Sequence, residues 1–122
     1  MDKTDAIVFG NGSSLKDFDF TSIDRSKYDI IGCCLAFRYW NNIDWHPDIY
    51  VNIDTVVCEK NLEVSDYVTQ KKCKLYLLSK SILKNKLIPS DNILFIEDLL
   101  IDHASIFKYM KTWCSGSSAV LL

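Results

Sequence analysis

The chain has 122 residues, enough for one domain around a single hydrophobic core. Hydrophobic residues make 48% of it and charged residues 25%, which excludes a disordered or low-complexity protein. Fourteen basic against sixteen acidic residues leave a net charge of −2, so no basic excess is available for nucleic acid. No apolar run reaches the roughly 18 residues of a membrane span. The start, Met1-Asp2-Lys3-Thr4-Asp5, is too polar for a secretory signal, and the expected location is the cytoplasm.

In chain order, Ala6 to Phe9 is too short for a helix and its Ile-Val-Phe core predicts a strand. It ends in Gly10-Asn11-Gly12-Ser13-Ser14-Leu15, a turn dense in glycine, amide and hydroxyl. Glycine lacks a Cβ and tolerates positive φ, so a phosphate or ribose can come close to such a main chain. A plain β-turn containing glycines reads the same way, and both alternatives stand. Leu15 occupies the place where the dinucleotide fingerprint needs a small residue, which disfavours NAD.

Leu15 to Ile23 suits a short helix or turn that packs Phe18 and Phe20 inward. Tyr28 to Leu35 is nearly continuous apolar sequence and predicts a second strand buried on both faces. Phe37 to Asn42 then leaves the sheet. Asp48 to Asp54 predicts a third strand with a polar end, and Val56 to Gln70 a helix. Lys74–Leu78 and Asn92–Ile96 predict two more strands, separated by a short helix at Ser79–Leu87. Asp98 to Lys111 predicts a helix, broken near Asp102-His103. A polar turn at residues 113–118 precedes the apolar Ala119-Val120-Leu121-Leu122.

Short apolar strands alternating with helical segments predict a parallel sheet in an α/β fold. Ligands of such sheets bind beyond the carboxyl ends of the strands. The polar residues expected there are Asn11, Ser13 and Ser14 after the first strand and Asn52 and Asp54 after the third. Ser115, Gly116, Ser117 and Ser118 can join them. Uncharged amides and hydroxyls suit recognition of ribose, base edge and phosphate more than acid–base work.

Phe9 to Phe20, Phe-Gly-Asn-Gly-Ser-Ser-Leu-Lys-Asp-Phe-Asp-Phe, resembles the N-terminus of bacterial sialyltransferases of glycosyltransferase family 42. There a short strand runs into Gly-Asn-Gly-Pro-Ser-Leu; here Ser13 stands in the proline's place. Asn52 in Tyr50-Val51-Asn52 matches an asparagine closing the third strand of that family. Ser115-Gly116 matches the end of its Thr-Ser-Gly motif, with Cys114 in the threonine's place. Cys34 stands where the family has a nucleotide-contacting asparagine, which puts that contact in doubt. Similar loops occur in motility-accessory glycosyltransferases and in a pterin pyrophosphokinase family.

The resemblance implies a Rossmann-like sheet flanked by helices, the nucleotide-binding half of a GT-A-like variant fold. It implies transfer of a CMP-activated sugar, sialic acid or another 2-keto sugar acid, to a glycan acceptor. The residues it assigns to the nucleotide and phosphate are Gly10, Asn11, Gly12, Ser13, Ser14, Asn52, Ser115 and Gly116. No metal and no separate cofactor is implied. A cytoplasmic enzyme at the inner face of the membrane, peripherally associated or homo-oligomeric, is compatible with it. In that family further chain after the Ser-Gly motif supplies a strand, a tyrosine pair and a general-base histidine. The open apolar end at Ala119–Leu122 therefore leads us to expect a single domain, residues 1–122, truncated at its C-terminus and inactive alone. A non-catalytic nucleotide-binding or interaction module is the alternative.

No catalytic group is evident. His103, beside Asp102, is the candidate base, without a visible partner. His46 precedes a proline in a loop and reads as solvent-exposed. Arg38, near a strand end, could meet a phosphate or carboxylate or stack on Tyr39 or Trp40. Asp54 reads as a helix cap and Asp98 as part of a helix start. The five cysteines form no CxxC and read as reduced structural thiols rather than metal ligands.

Overall fold

The computed structural model describes residues 5–10 and 16–101 of the chain. Five strands alternate with helices: β1 (Asp5–Phe9), β2 (Tyr28–Cys33), α1 (Phe37–Ile43), β3 (Ile49–Asn52), α2 (Thr55–Lys60), α3 (Leu62–Thr69), β4 (Leu75–Leu78), β5 (Ile93–Phe95) and α4 (Ile96–Ile101). All neighbouring strands pair in parallel, in the order β1-β2-β3-β4-β5. This is a Rossmann-like α/β sheet flanked by helices, as expected from the sequence.

The pleat sends alternate residues to opposite faces. Ile30, Tyr50, Tyr76 and Leu78 turn to one face and pack with Phe37 and Trp40 of α1, Cys58 of α2, and Val64, Tyr67 and Val68 of α3. Ile31, Cys33, Ile49, Val51 and Leu77 turn to the other, where Ile96 of α4 joins them. Each crossover steps one strand in the same direction. A uniform crossover hand then puts the connections on one face, and the described elements between strands contribute Phe20, Phe37, Trp40, Cys58, Val64 and Ile82 to that same face. The helix after β5 is the first element whose buried side chain packs on the opposite face.

Three local departures have physical causes. The single helix expected over Val56–Gln70 is two, because Asn61 is extended (φ −98°, ψ 100°). Its side chain accepts from the Glu63 N–H at 3.0 Å and starts α3 anew. Between β4 and β5 the chain forms a 3₁₀ turn, Lys80–Asn85, capped by Ser79 and closed by Lys86 in the left-handed region. The segment after β2 is the regular helix α1. It sits on Gly32, whose missing side chain leaves room for the Trp40 ring. Asp54 caps α2, accepting from the N–H groups of Val56 and Val57 at 3.0 Å, and Asp98 lies in the first turn of α4. The helix expected over Asp98–Lys111 is described only as far as Ile101.

Candidate functional site

The carboxyl ends of β1, β2 and β3 meet side by side. Phe9 is opposite Gly32, and Cys33 is opposite Val51. Gly10 is therefore the first residue beyond the edge of the sheet. Among the described residues a Cβ built on it would meet nothing within 4 Å, and its φ is not positive. The glycine therefore does not relieve a strained dihedral. The far end of the loop is anchored as well. The Tyr39 hydroxyl donates to the Lys16 carbonyl at 3.3 Å, and Phe18 and Phe20 pack on Phe9 with centroids 5.3 and 5.2 Å away. Phe20 also lies 4.4 Å from Trp45. Aromatic pairing of this kind holds the stretch after the loop against the sheet. Asn11, Gly12, Ser13 and Ser14 lie outside the described residues, as do His103, Ser115 and Gly116.

Asn52 closes β3 as expected, but it is 1% exposed. Its amide donates to the Tyr50 hydroxyl at 3.1 Å, and its Oδ1 accepts from the Asp54 N–H at 3.3 Å. The Cys58 thiol donates to its carbonyl at 3.1 Å. Its polar groups are thus engaged within the fold. Burial pushes the Cys58 thiol up to about 11, so it is a protonated core group and not a nucleophile. Cys33, Cys34, Cys58 and Cys73 are all free thiols, as the sequence suggested; Cys114 lies outside the described residues. Among the described residues no group of three or more His, Cys, Asp or Glu side chains is placed to hold a metal ion.

At the same edge, the Glu97 carboxylate accepts from the Ser79 hydroxyl at 2.9 Å and from the Lys80 N–H at 2.6 Å. It ties the end of β4 to the end of β5 and caps the 3₁₀ turn. Arg38 does meet a carboxylate, but that of Glu63. Two hydrogen bonds of 2.9 and 2.6 Å join them on the surface, and neither Tyr39 nor Trp40 stacks on the guanidinium. A cleft of about 420 Å³ opens elsewhere, between α3 and the approach to β5, lined by Val68, Lys71, Tyr76, Leu87 and Ile93. Neither Gly10 nor Asn52 contributes to it.

His46 differs from its expected exposure. Its ring is largely covered, and Nδ1 lies 2.8 Å from the Tyr67 hydroxyl, which in turn lies 3.4 Å from the Cys73 sulfur. This is at the amino end of the sheet, away from Gly10. Sequence could not show it, because Tyr67 is on α3, 21 residues on. Burial first, then Lys72 and Arg25, depress the imidazole below its ordinary 6.5 against the opposing pull of Asp44. Below 6.5 the unfolded chain then binds more protons than the folded one. The stabilisation is complete above that value and is lost as pH falls through the lower folded value. Unfolding free energy measured by denaturant should drop as pH falls below 6.5, and His46→Gln should flatten that limb. An unchanged slope in the variant would show that another group titrates.

Comparison with family models, with curated proteins and with solved structures returned no match. Among the described residues no helix is long and apolar enough to cross a membrane.

Proposed function

We propose that the chain is a nucleotide-binding α/β domain that takes a CMP-activated 2-keto sugar acid and serves its transfer to a glycan acceptor. One observation carries the nucleotide part: the Gly-Asn-Gly-Ser-Ser stretch begins at the carboxyl end of β1 in a sheet whose described strands are all parallel, and no described residue would meet a Cβ at Gly10. Backbone N–H groups of such a loop suit a phosphate, and the sheet's carboxyl edge is where ligands of this architecture sit. The donor's cytidine and sugar come from the resemblance of residues 9–20 to sialyltransferases.

In the transfer, an acceptor hydroxyl attacks the anomeric carbon as the bond from that carbon to the phosphate oxygen breaks. CMP leaves with the bonding electrons, and a base takes the acceptor's proton. His103 is the candidate base carried over from the sequence. Asp54 and Glu97, the carboxylates at the described carboxyl edge, already cap helical turns. That favours a second reading, a module that binds the nucleotide without catalysing transfer.

Titration with CMP, followed by calorimetry and amide chemical shifts, tests the reading. Saturable binding with shifts at Gly10, Asn52 and Ser115 is expected. Gly12→Val should weaken it by about tenfold or more, since a branched side chain blocks approach and resists positive φ. Selective binding of adenosine nucleotides would reject the cytidine assignment. Transfer from a CMP-sugar to a panel of glycans then separates the enzyme from the binding module.

A further inference from the structure

The cleft between α3 and the approach to β5 lies at the amino ends of β4 and β5, on the face that carries α1 to α3. Its apolar lining is the buried Val68 and Tyr76 with the partly buried Leu87 and Ile93, and its volume of about 420 Å³ is in the range of small-ligand sites. Two polar side chains line it as well. Ser65 is 8% exposed, and its hydroxyl oxygen accepts from Asn85 Nδ2 at 3.3 Å. The same Nδ2 donates to the Cys58 carbonyl at 2.9 Å. A carbonyl only accepts, so this contact fixes which end of the amide is nitrogen. The Ser65 hydroxyl proton and Asn85 Oδ1 are then left without a partner among the described residues. Three charged side chains complete the lining. Lys71 follows α3 and Lys86 closes the 3₁₀ turn, both with left-handed backbone, and Asp66 lies on α3. None of the three makes an ion pair among the described residues, so two cations and one carboxylate leave one net positive charge.

We propose that this cleft is a binding site for a small hydroxy monoacid with an apolar body. The body covers Val68, Leu87 and Ile93 and takes water from Ile88, an isoleucine 84% exposed at the rim. A ligand hydroxyl both donates and accepts, so it satisfies Asn85 Oδ1 and the Ser65 proton together. A single carboxylate balances the net charge of the lining, whereas an amine would meet two unpaired ammonium groups. The site stands independently of the nucleotide reading, because it is at the other end of the strands and shares neither Gly10 nor Asn52.

The probe is 4-hydroxyphenylacetate, titrated into the whole chain and followed by amide chemical shifts. Phenylacetate lacks its hydroxyl, and 4-hydroxyphenylacetamide lacks its charge. Saturable binding of about millimolar strength is expected, with shifts centred on Val68, Lys71, Lys86 and Ile93. Loss of the ligand hydroxyl should weaken binding by about three- to tenfold, and Ser65→Ala should remove most of that preference. Lys71→Gln and Lys86→Gln, both at exposed positions, should each reduce the preference for acid over amide by about two- to fivefold. No saturation below about 20 mM, or shifts centred away from the cleft, would overturn the site. Equal binding of acid and amide, or a hydroxyl preference that survives Ser65→Ala, would overturn the ligand class assigned to it.

Discussion

Gly32→Ala should cost about 3 kcal/mol of unfolding free energy, at the upper end of what overpacking a core does. Gly32 lies in β2 on the face covered by α1. A Cβ there would fall 2.2 Å from Cη2 and 2.5 Å from Cζ2 of Trp40, with Cγ of Pro47 at 3.2 Å. Real Cβ atoms do not approach so closely, so the tryptophan must move. Trp40 is fully buried among Trp45, Tyr50 and Tyr67, whose ring centroids lie 6.0 to 6.3 Å away, so there is little free space to receive it. The loss is therefore larger than the small gain from removing a glycine's backbone freedom. Denaturant unfolding of Gly32→Ala, Trp40→Phe and the double variant checks the cause. The double variant should be more stable than the two separate losses predict, because the smaller ring vacates the overlap. Strict additivity would show that something other than this contact makes Gly32 necessary.

The strands were legible because their signal is local. Ile30-Ile31, Ile49-Tyr50-Val51 and Leu75-Tyr76-Leu77-Leu78 are apolar on both faces, as strands of a parallel sheet covered on both sides must be. Helix ends were legible where a side chain supplies the cap, as at Asp54. The break at Asn61 was equally visible in principle: an asparagine followed two residues later by a glutamate is a helix start. The run of Val57, Leu62, Val64 and Val68 at helical spacing masked it.

The site was legible only in part, and the missing part is long-range. Gly10 could be placed at a strand end from the sequence, since the strand and the glycine are adjacent. That Asn52 spends its amide on Tyr50 follows from strand geometry: residues i and i+2 share a face, so the pair was accessible to the same reasoning. The partner of the Tyr50 hydroxyl was not, because Cys34 is 16 residues away on another strand. Arg38 and Glu63 are 25 residues apart and meet only because α1 and α3 cover the same face of the sheet. Sequence order carries no record of such a pairing.

The second large effect should come from Asp48, whose carboxylate is 6% exposed beside the start of β3. One oxygen accepts from the Ile30 N–H at 2.8 Å, and the other from Arg25 at 3.0 Å, with the Lys74 ammonium 3.6 Å away. Its backbone joins the same junction: the Asp48 N–H donates to the Ile30 carbonyl at 2.9 Å, and the Asp48 carbonyl accepts from Lys74 at 2.8 Å. One residue thus stitches the amino ends of β2, β3 and β4. Lys74 is largely solvated and adds little. Replacing Asp48 by alanine leaves the buried Ile30 N–H without its acceptor and the partly buried Arg25 without its counter-charge, at a cost of about 3 kcal/mol. Asp48→Asn keeps an acceptor but loses the charge and should cost about half as much. Burial alone would raise the pKa of this carboxyl. The Ile30 N–H and Arg25, helped by Lys74, outweigh it and hold the pKa below the ordinary 3.8. Below 3.8 the unfolded chain therefore takes up the proton first. The stabilisation is complete above that pH and is lost as pH falls through the lower folded value. Unfolding measured from neutral pH into strong acid should show this late loss in the wild-type chain, well below the region where His46 titrates. The Asp48→Asn chain should start lower and lose less over that last interval. Parallel curves for the two proteins would assign the acid limb to other carboxylates and leave Asp48 a neutral part of the junction.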